Sequence, residues 1–461
     1  MTLVTAHPTP VLPLVIVGAG PIGLAAAAHA HSRGLRTLVL EAGPQVGASV
    51  REWGHVRLFS AWRELVDPVA ETLLRSRGWV RPDADSYPTG AEWVDDYLAP
   101  LAEALTATEL VEVRTGHRVV GLAKLGRDRL VDSGREDAPH TVHVEQGGVR
   151  TRVLADAVVD ASGTWTGPNP LGADGLPALG EPEHRDRVTY GIPDFTDDEV
   201  RARYAGKRIA VAGRGASAQN TLVGLSGLAT DVPSTAVVWL LRRPGVEDAF
   251  GGGDNDQLEA RGALGRRAQA AVSTGSVDVV TGFRTDQVTS QDDGRLTLTG
   301  TDGRTVADID EVIVVTGFRP DLTWLSEVRL DLDPVLSAPT ALAPLIDPNV
   351  HSCGTVYPHG AAELRQPEPG LFLAGMKSYG RAPSFLALTG FEQTRSIVAA
   401  IAGDHEAAAR VELVLPESGV CGGSGVFDGQ PTETNGGACC APGQPELLSI
   451  GAPGAGGSGC G

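Results

Sequence analysis

The stretch Leu14-Val15-Ile16-Val17-Gly18-Ala19-Gly20-Pro21-Ile22-Gly23 decides the fold. Leu14 to Val17 is a short apolar run that reads as a buried strand, and the alanine-rich segment Pro21 to Ser32 reads as the helix behind it. Thr37 to Leu40 reads as a second strand and closes a βαβ unit. In the turn, Gly18 permits a tight bend, Gly20 lets the backbone approach a pyrophosphate, and Gly23 lets helix and strand pack closely. Pro21 opens the helix, whose N-terminus offers amides and positive potential to an anion. Glu41 ends the second strand, where a carboxylate accepts hydrogen bonds from the hydroxyls of an adenosine ribose. Any one of these signs is common in plain turns; strand, glycines, helix and acid together specify a dinucleotide site.

The pattern returns. Arg208 to Ala212, Ser217 to Leu228 and Ala236 to Leu241 repeat strand, helix and strand, with Gly213-Arg214-Gly215-Ala216-Ser217-Ala218 in the turn. Here the second strand is followed by Arg242 and Arg243 instead of an acid, and such a pair selects a 2′-phosphate and so NADPH over NADH. Between the units, Val111 to Val159 holds several short strand candidates, among them Thr141 to Glu145 and Ala157 to Val159, which suit a β-meander, and a Pro- and Gly-rich crossing follows at Thr166 to Pro182. Glu311 to Val315 and Leu371 to Ala374 read as strands, and Phe385 to Ile401 as a helix returning to the first unit. The expected class is α/β, with two Rossmann-like dinucleotide-binding domains. One occupies 11–195 and 310–415, and the other, 196–309, is nested within it. Residues 416–461, rich in Gly, Pro, Ser and Ala, read as a disordered C-terminal tail.

Composition agrees. The chain has 461 residues, more than one core usually organises, and 42% hydrophobic with 21% charged residues is the balance of a folded protein. A net charge of −19, spread along the chain, argues against nucleic acid or an anionic membrane as partner. No apolar run reaches the length of a membrane span and Met1 to Pro10 lacks the features of a signal peptide, so the expected location is the cytoplasm. Of five cysteines, Cys421, Cys439, Cys440 and Cys460 crowd into the tail, which speaks against a disulfide-built fold.

Two such motifs in this order resemble the two-dinucleotide-binding-domain flavoproteins, and that resemblance implies FAD at the N-terminal site and NADPH at the nested one. Asp160-Ala161-Ser162-Gly163-Thr164-Trp165 and Val314-Val315-Thr316-Gly317-Phe318-Arg319-Pro320 look like the crossings between the two domains, and Leu373-Ala374-Gly375-Met376 like the segment beside the flavin. Disulfide reductases of this type need a cysteine pair facing the flavin. Cys353 is the only cysteine ahead of the tail, so electrons must leave by another route, the simplest being dioxygen. The stretches Val50 to Ser60 and Tyr204 to Arg208, with the Ala-Ser-Gly-Thr-Trp run, resemble single-component flavin monooxygenases. In that family NADPH reduces the flavin and oxygen is then used to oxygenate a small molecule. One departure stands out: where the family carries Phe-x-Gly-x-x-x-His, this chain has Ala178-Leu179-Gly180-Glu181-Pro182-Glu183-His184. Among such proteins, the segment Val50 to Ser60, His351 to Val356, Lys377 to Ser384 and the cysteine-bearing tail resemble flavoproteins encoded beside bacterial arsenic-resistance genes, which implies an arsenical substrate.

Candidate substrate groups follow from position. Arg51, His55 and Arg57 lie just beyond the first βαβ unit, and Lys377 and Arg381 follow the flavin-side strand, where basic groups could hold an anion. Cys353 is a candidate redox thiol, with inert packing as its alternative. Three readings stay open. The first is an NADPH-dependent monooxygenase; the second is a flavin-dependent reductase or NADPH oxidase using the tail thiols, in which Cys421, Cys439, Cys440 and Cys460 could also bind a soft metalloid ion. The third is a non-enzymatic flavin-bearing redox or metalloid sensor. Oligomeric state is not legible.

Overall fold

The computed structural model describes residues 12–251, 256, 258–349, 358–383 and 385–413. The first unit is β1 (Leu14–Val17), the helix Pro21–Ser32 and β2 (Thr37–Leu40), with the expected bounds. Then come β3 (Val111–Arg114), β4 (Arg118–Lys124), β5 (His140–Gln146), β6 (Val149–Ala155) and β7 (Ala157–Asp160). The second unit runs through β8 (Val188–Tyr190), β9 (Arg208–Ala212), the helix Ala216–Asp231, β10 (Ala236–Leu240) and β11 (Asp278–Val280). It continues with β12 (Thr285–Ser290), β13 (Leu296–Gly300), β14 (Thr305–Ile309) and β15 (Glu311–Val314). β16 (Leu371–Leu373) and the helix Ala387–Ile401 complete the described body.

These strands make two all-parallel sheets, ordered β16-β7-β1-β2-β3 and β11-β10-β9-β15-β8, and two three-stranded antiparallel sheets, β4-β5-β6 and β12-β13-β14. β1, β2, β7 and β15 are buried at every position, as strands covered on both faces must be. Alternation along each strand assigns the faces. Leu14, Ile16, Val39 and Val159 pack with the helical layer, while Val15, Val17, Leu38, Leu40 and Val158 pack against Leu122, Val142 and Val144 of the β4-β5-β6 sheet. The second sheet repeats the plan, with Ile209, Val211, Trp239 and Ile313 under its helices and Ala210, Val238, Leu240 and Val312 against Val288, Leu296 and Leu298. Each half is therefore helices, parallel sheet and antiparallel sheet in three layers, and the fold class is α/β with two Rossmann-like halves.

Two expectations change. The strand candidates between Val111 and Val159 are not one meander, because β3 pairs in parallel with β2 and β7 with β1, leaving only β4 to β6 antiparallel. The second parallel sheet also draws on β8 and β15, which lie outside the expected span 196–309. The crossings between the halves run side by side: Pro168 bridges Phe318, Asn169 N donates to Gly317 O at 2.9 Å and Arg319 N to Gly167 O at 2.8 Å. No helix among the described residues is long and apolar enough to cross a membrane.

Candidate functional site

The first glycine turn is shaped by contacts that admit no side chain at two of its three glycines. Gly18 has φ +101°, and a Cβ there would lie 2.8 Å from Ala161 O; a Cβ on Gly23 would lie 1.9 Å from Gly18 O. Gly20 differs. Its φ of −83° suits any residue, and an added Cβ would meet nothing within 4 Å, so the chain's own packing gives no reason for a glycine there. The helix that follows begins with Pro21 and has no side-chain cap, which leaves its first-turn amides for an external acceptor. Glu41 reaches back over the turn, its two oxygens accepting from Ala19 N at 2.8 Å and Gly43 N at 2.7 Å.

The second turn copies the first. Gly213 has φ +138° and a Cβ there would lie 2.3 Å from Val315 O, whereas Gly215, at φ −81°, again faces open space. Ala218 is buried in the core below the helix and Ser217 sits half-buried beside the turn. Arg242 is exposed and Arg243 half-buried just past β10; the Arg242 guanidinium donates to Ala173 O at 3.4 Å, and the Arg243 carbonyl accepts from Gly282 N at 2.8 Å. Gly163, Gly317 and Gly375, at the ends of β7, β15 and β16, share left-handed backbone, with φ of +70°, +93° and +69°. Gly375 closes on the first turn through Ile22, and its amide donates to the buried Gln393 Oε1 at 2.7 Å.

From the first turn the chain is carried to a cavity. Gly47 N donates to Ala19 O at 3.0 Å and starts the short helix Ala48–Glu52, which delivers Arg51 and Glu52 to an open cavity of about 550 Å³. His55 lines it from the same segment, and Asp194 and Thr196 from the chain leading to β9. The Arg51 guanidinium is turned onto Asp95, at 3.0 and 2.5 Å. That contact, more than the opposing burial, raises the guanidinium pKa and lowers that of Asp95. His55 Nδ1 stands 4.0 Å from Asp194 Oδ2, and Trp165 Nε1 donates to Glu52 Oε2 at 2.6 Å. Burial alone would raise the Asp194 pKa, but hydrogen bonds from Thr196 and the nearby His55 leave it below the usual carboxylate value.

The remaining basic candidates lie elsewhere. Arg57 is exposed, donates to Tyr87 O and lies 3.8 Å from Glu92. Lys377 is not an anion-holding group: it is 1% exposed, 2.9 Å from the fully buried Asp160 and 3.0 Å from Ser162 Oγ. Arg381 is exposed, close enough to Arg319 that, after burial, its charge lowers the Arg319 pKa. The run Ala178 to His184 forms a structural turn, in which the buried Glu181 carboxylate accepts from Leu171 N and Ala178 N and His184 Nδ1 lies 2.7 Å from Gly180 O. Cys353 and the tail cysteines Cys421, Cys439, Cys440 and Cys460 lie outside the described residues, as does the expected tail beyond 413. Glu52, Asp194 and Thr196 were not among the candidates; Asp194-Phe195-Thr196-Asp197 reads in sequence as no more than the polar entry to a helix.

A family model described as pyridine nucleotide-disulphide oxidoreductase matches residues 15–69. Ferredoxin–NADP reductase 1 of Cupriavidus necator is 27% identical over 330 residues, covering 70% of this chain and 76% of its own. A bacillithiol disulfide reductase from Bacillus cereus superposes with a TM-score of 0.61 at 19% identity, over 85% of this chain and 99% of its own. A flavin monooxygenase from Stenotrophomonas maltophilia does so with a TM-score of 0.53 at 22% identity, over 86% and 99%. Those chains carry different activities on one architecture, and it is the architecture that this chain shares: the α/β fold of the flavoproteins with two dinucleotide-binding domains.

Proposed function

We propose that the chain is a flavin-dependent oxidoreductase in which NADPH reduces FAD and the reduced flavin activates dioxygen to oxygenate a small molecule. FAD and NADPH are its cofactors, FAD in the first half and NADPH in the second. The observation that carries the reading is the pair of glycines, Gly20 and Gly215, whose conformation and surroundings would accept a side chain. Each stands before an uncapped helix at the C-terminal edge of a parallel sheet, where the approach of a phosphate group accounts for the missing Cβ. When bound, FAD supplies two-electron chemistry that passes from the nicotinamide to dioxygen. The chain's own part is to hold the pyrophosphates on the turns at Gly18–Gly23 and Gly213–Ala218, the adenosine ribose near Glu41 and the 2′-phosphate near Arg242 and Arg243.

A flavin-linked reductase is the second reading, favoured by the likeness to a ferredoxin–NADP reductase. A flavin-facing cysteine pair ahead of the tail is excluded by the sequence, in which Cys353 is the only cysteine before Cys421. The resemblance noted above makes trivalent arsenicals the first substrates to try. Oxygen and NADPH consumption by the purified yellow protein, with and without candidate substrate, decides. Substrate-dependent oxygen uptake with one oxygen atom recovered in product supports oxygenation; NADPH oxidation that proceeds equally well under argon with an artificial acceptor, and yields no oxygenated product in air, refutes it.

A further inference from the structure

The second glycine turn and the arginines after β10 are held by two different buried side chains. Trp239, on β10 and fully buried, donates through Nε1 to Gly213 O at 2.7 Å. In the first unit, Gly18 O fills the space that a Cβ on Gly23 would need, at 1.9 Å, whereas the second unit has Ala218 in that place. There Gly213 O faces the indole, and because the peptide is planar and trans, the Arg214 N–H is directed the opposite way. Gln219 acts on the other part. Its amide N donates to Gly215 O at 3.1 Å, which places it in the first turn of the helix Ala216–Asp231, where it is 5% exposed. Its side-chain Nε2 donates to Ala249 O at 2.7 Å, in the short helical turn Glu247–Phe250. Ala249 and Phe250 are buried, while Arg242 to Val246 are exposed or half-buried. The arginine-bearing segment is thus a span with two fixed ends, Arg243 O held by Gly282 N at 2.8 Å and Ala249 O held by Gln219. Gln219 Oε1 is buried with no hydrogen-bond partner among the described residues, a cost that an apolar side chain would avoid.

We propose that Gln219 is a positioning residue that determines coenzyme specificity: by tying the turn Glu247–Phe250 to the first turn of the coenzyme helix, it holds Arg242 and Arg243 where they meet a 2′-phosphate. The proposal rests on the NADPH reading above. Gln219 acts through the two arginines, because a guanidinium fixed before the phosphate arrives loses less freedom on pairing than one on a loose span. The pyrophosphate is common to NADPH and NADH and depends on the turn that Trp239 holds. The two anchors therefore control different quantities, Trp239 the affinity for either coenzyme and Gln219 the ratio between them.

The test uses the FAD-loaded protein, with NADP⁺ and NAD⁺ binding measured by titration calorimetry and the apoproteins melted in parallel. Gln219→Met should lower the preference for NADP⁺ over NAD⁺ by about five- to tenfold, and Gln219→Leu, which also lacks the donor, should do the same. The melting temperature should move little, because methionine removes one orphan oxygen, Gln219 Oε1, and leaves another, Ala249 O. Trp239→Phe should weaken both coenzymes and leave their ratio within about twofold of the parent. A ratio unchanged in both Gln219 variants, a fall as large in Trp239→Phe, or Gln219 variants that do not fold overturns the positioning role. A parent protein that binds NADP⁺ and NAD⁺ equally sinks the NADPH reading itself, whereas a parent that prefers NADP⁺ and Gln219 variants that keep the preference sink this assignment alone.

Discussion

Gly20 and Gly23 sit three residues apart and should fail in opposite ways. In Gly20→Val the new Cβ enters open space on a backbone of φ −83°, and the freedom lost by the unfolded chain is set against a poorer N-cap residue, so the apoprotein stays within about 1 kcal/mol of the parent. The same side chain stands where the pyrophosphate approaches. If it displaces two charge-assisted amide–phosphate bonds, each worth about 1.5–3 kcal/mol, the loss is roughly 3–6 kcal/mol, or on the order of a hundred- to ten-thousandfold in FAD affinity. In Gly23→Ala the new Cβ falls 1.9 Å from Gly18 O, and the helix must move outward to relieve it, at an overpacking cost of about 1–3 kcal/mol before any ligand is present. The assays are thermal melts of the two apoproteins by circular dichroism and FAD titration by quenching of flavin fluorescence. Gly20→Val should melt like the parent and stay colourless, and Gly23→Ala should melt early. A Gly20→Val protein that saturates with FAD at parental concentrations, or whose apoprotein is as unstable as Gly23→Ala, would refute the argument that the glycine is there for a ligand.

Replacing Arg242 and Arg243 together by Ala should weaken NADPH by about 1–3 kcal/mol and leave NADH unchanged, as read from flavin reduction at increasing coenzyme; equal losses for both would make the pair structural. His140 is fully buried, and burial, helped by the Lys124 cation, pushes its pKa from 6.5 to about 4. The unfolded chain therefore takes up a proton that the folded one refuses as pH falls from 6.5 towards 4, stability declines across that window by up to about 3 kcal/mol, and His140→Phe should flatten the corresponding slope of melting temperature. Lys377→Met strands the buried Asp160 carboxylate and should cost about 3–5 kcal/mol, much of which the double change with Asp160→Asn restores; an additive double variant would show the pair to be independent. Removing residues 416–461 should leave FAD content and NADPH oxidation intact and sharply reduce binding of trivalent arsenicals measured by thiol protection, with unchanged binding excluding Cys421, Cys439, Cys440 and Cys460 as ligands.

The elements most legible in the sequence are those whose identity is local. β1, the helix Pro21–Ser32 and β2 fall on the expected residues because a four-residue apolar run bounded by glycine has few alternatives, and because Pro21 fixes where the helix begins. β3 and β7 look no different from their antiparallel neighbours β4 to β6, and what sends them into the parallel sheet is pairing with β2 and β1, decided far away in the chain. β12 to β14 escape notice for another reason. Leu296 and Leu298 are buried while Thr297 and Thr299, which alternate with them, are half-exposed, so a strand with one covered face carries too few apolar residues to stand out.

The same division runs through the candidate site. A glycine turn is a statement about backbone, and Gly18 or Gly213 can be read from its neighbours alone. A basic side chain is a statement about charge, and its meaning depends on a partner that sequence does not identify. Arg51 is matched by Asp95, 44 positions on; Arg135 by Glu368, 233 positions on; and Lys377, in a short helical turn after β16, by Asp160 at the end of β7. Each of these cations is consumed within the protein. Counting Arg51 as paired changes the reading of its segment, because the other charged groups lining the cavity it borders are Glu52, His55 and Asp194, and Arg319 and Arg381, whose charges approach each other on the second crossing and the loop after β16, are not among the lining residues. The sign of the site is thus a property of long-range pairing, set by which charges the fold leaves over and not by which ones the segment contains.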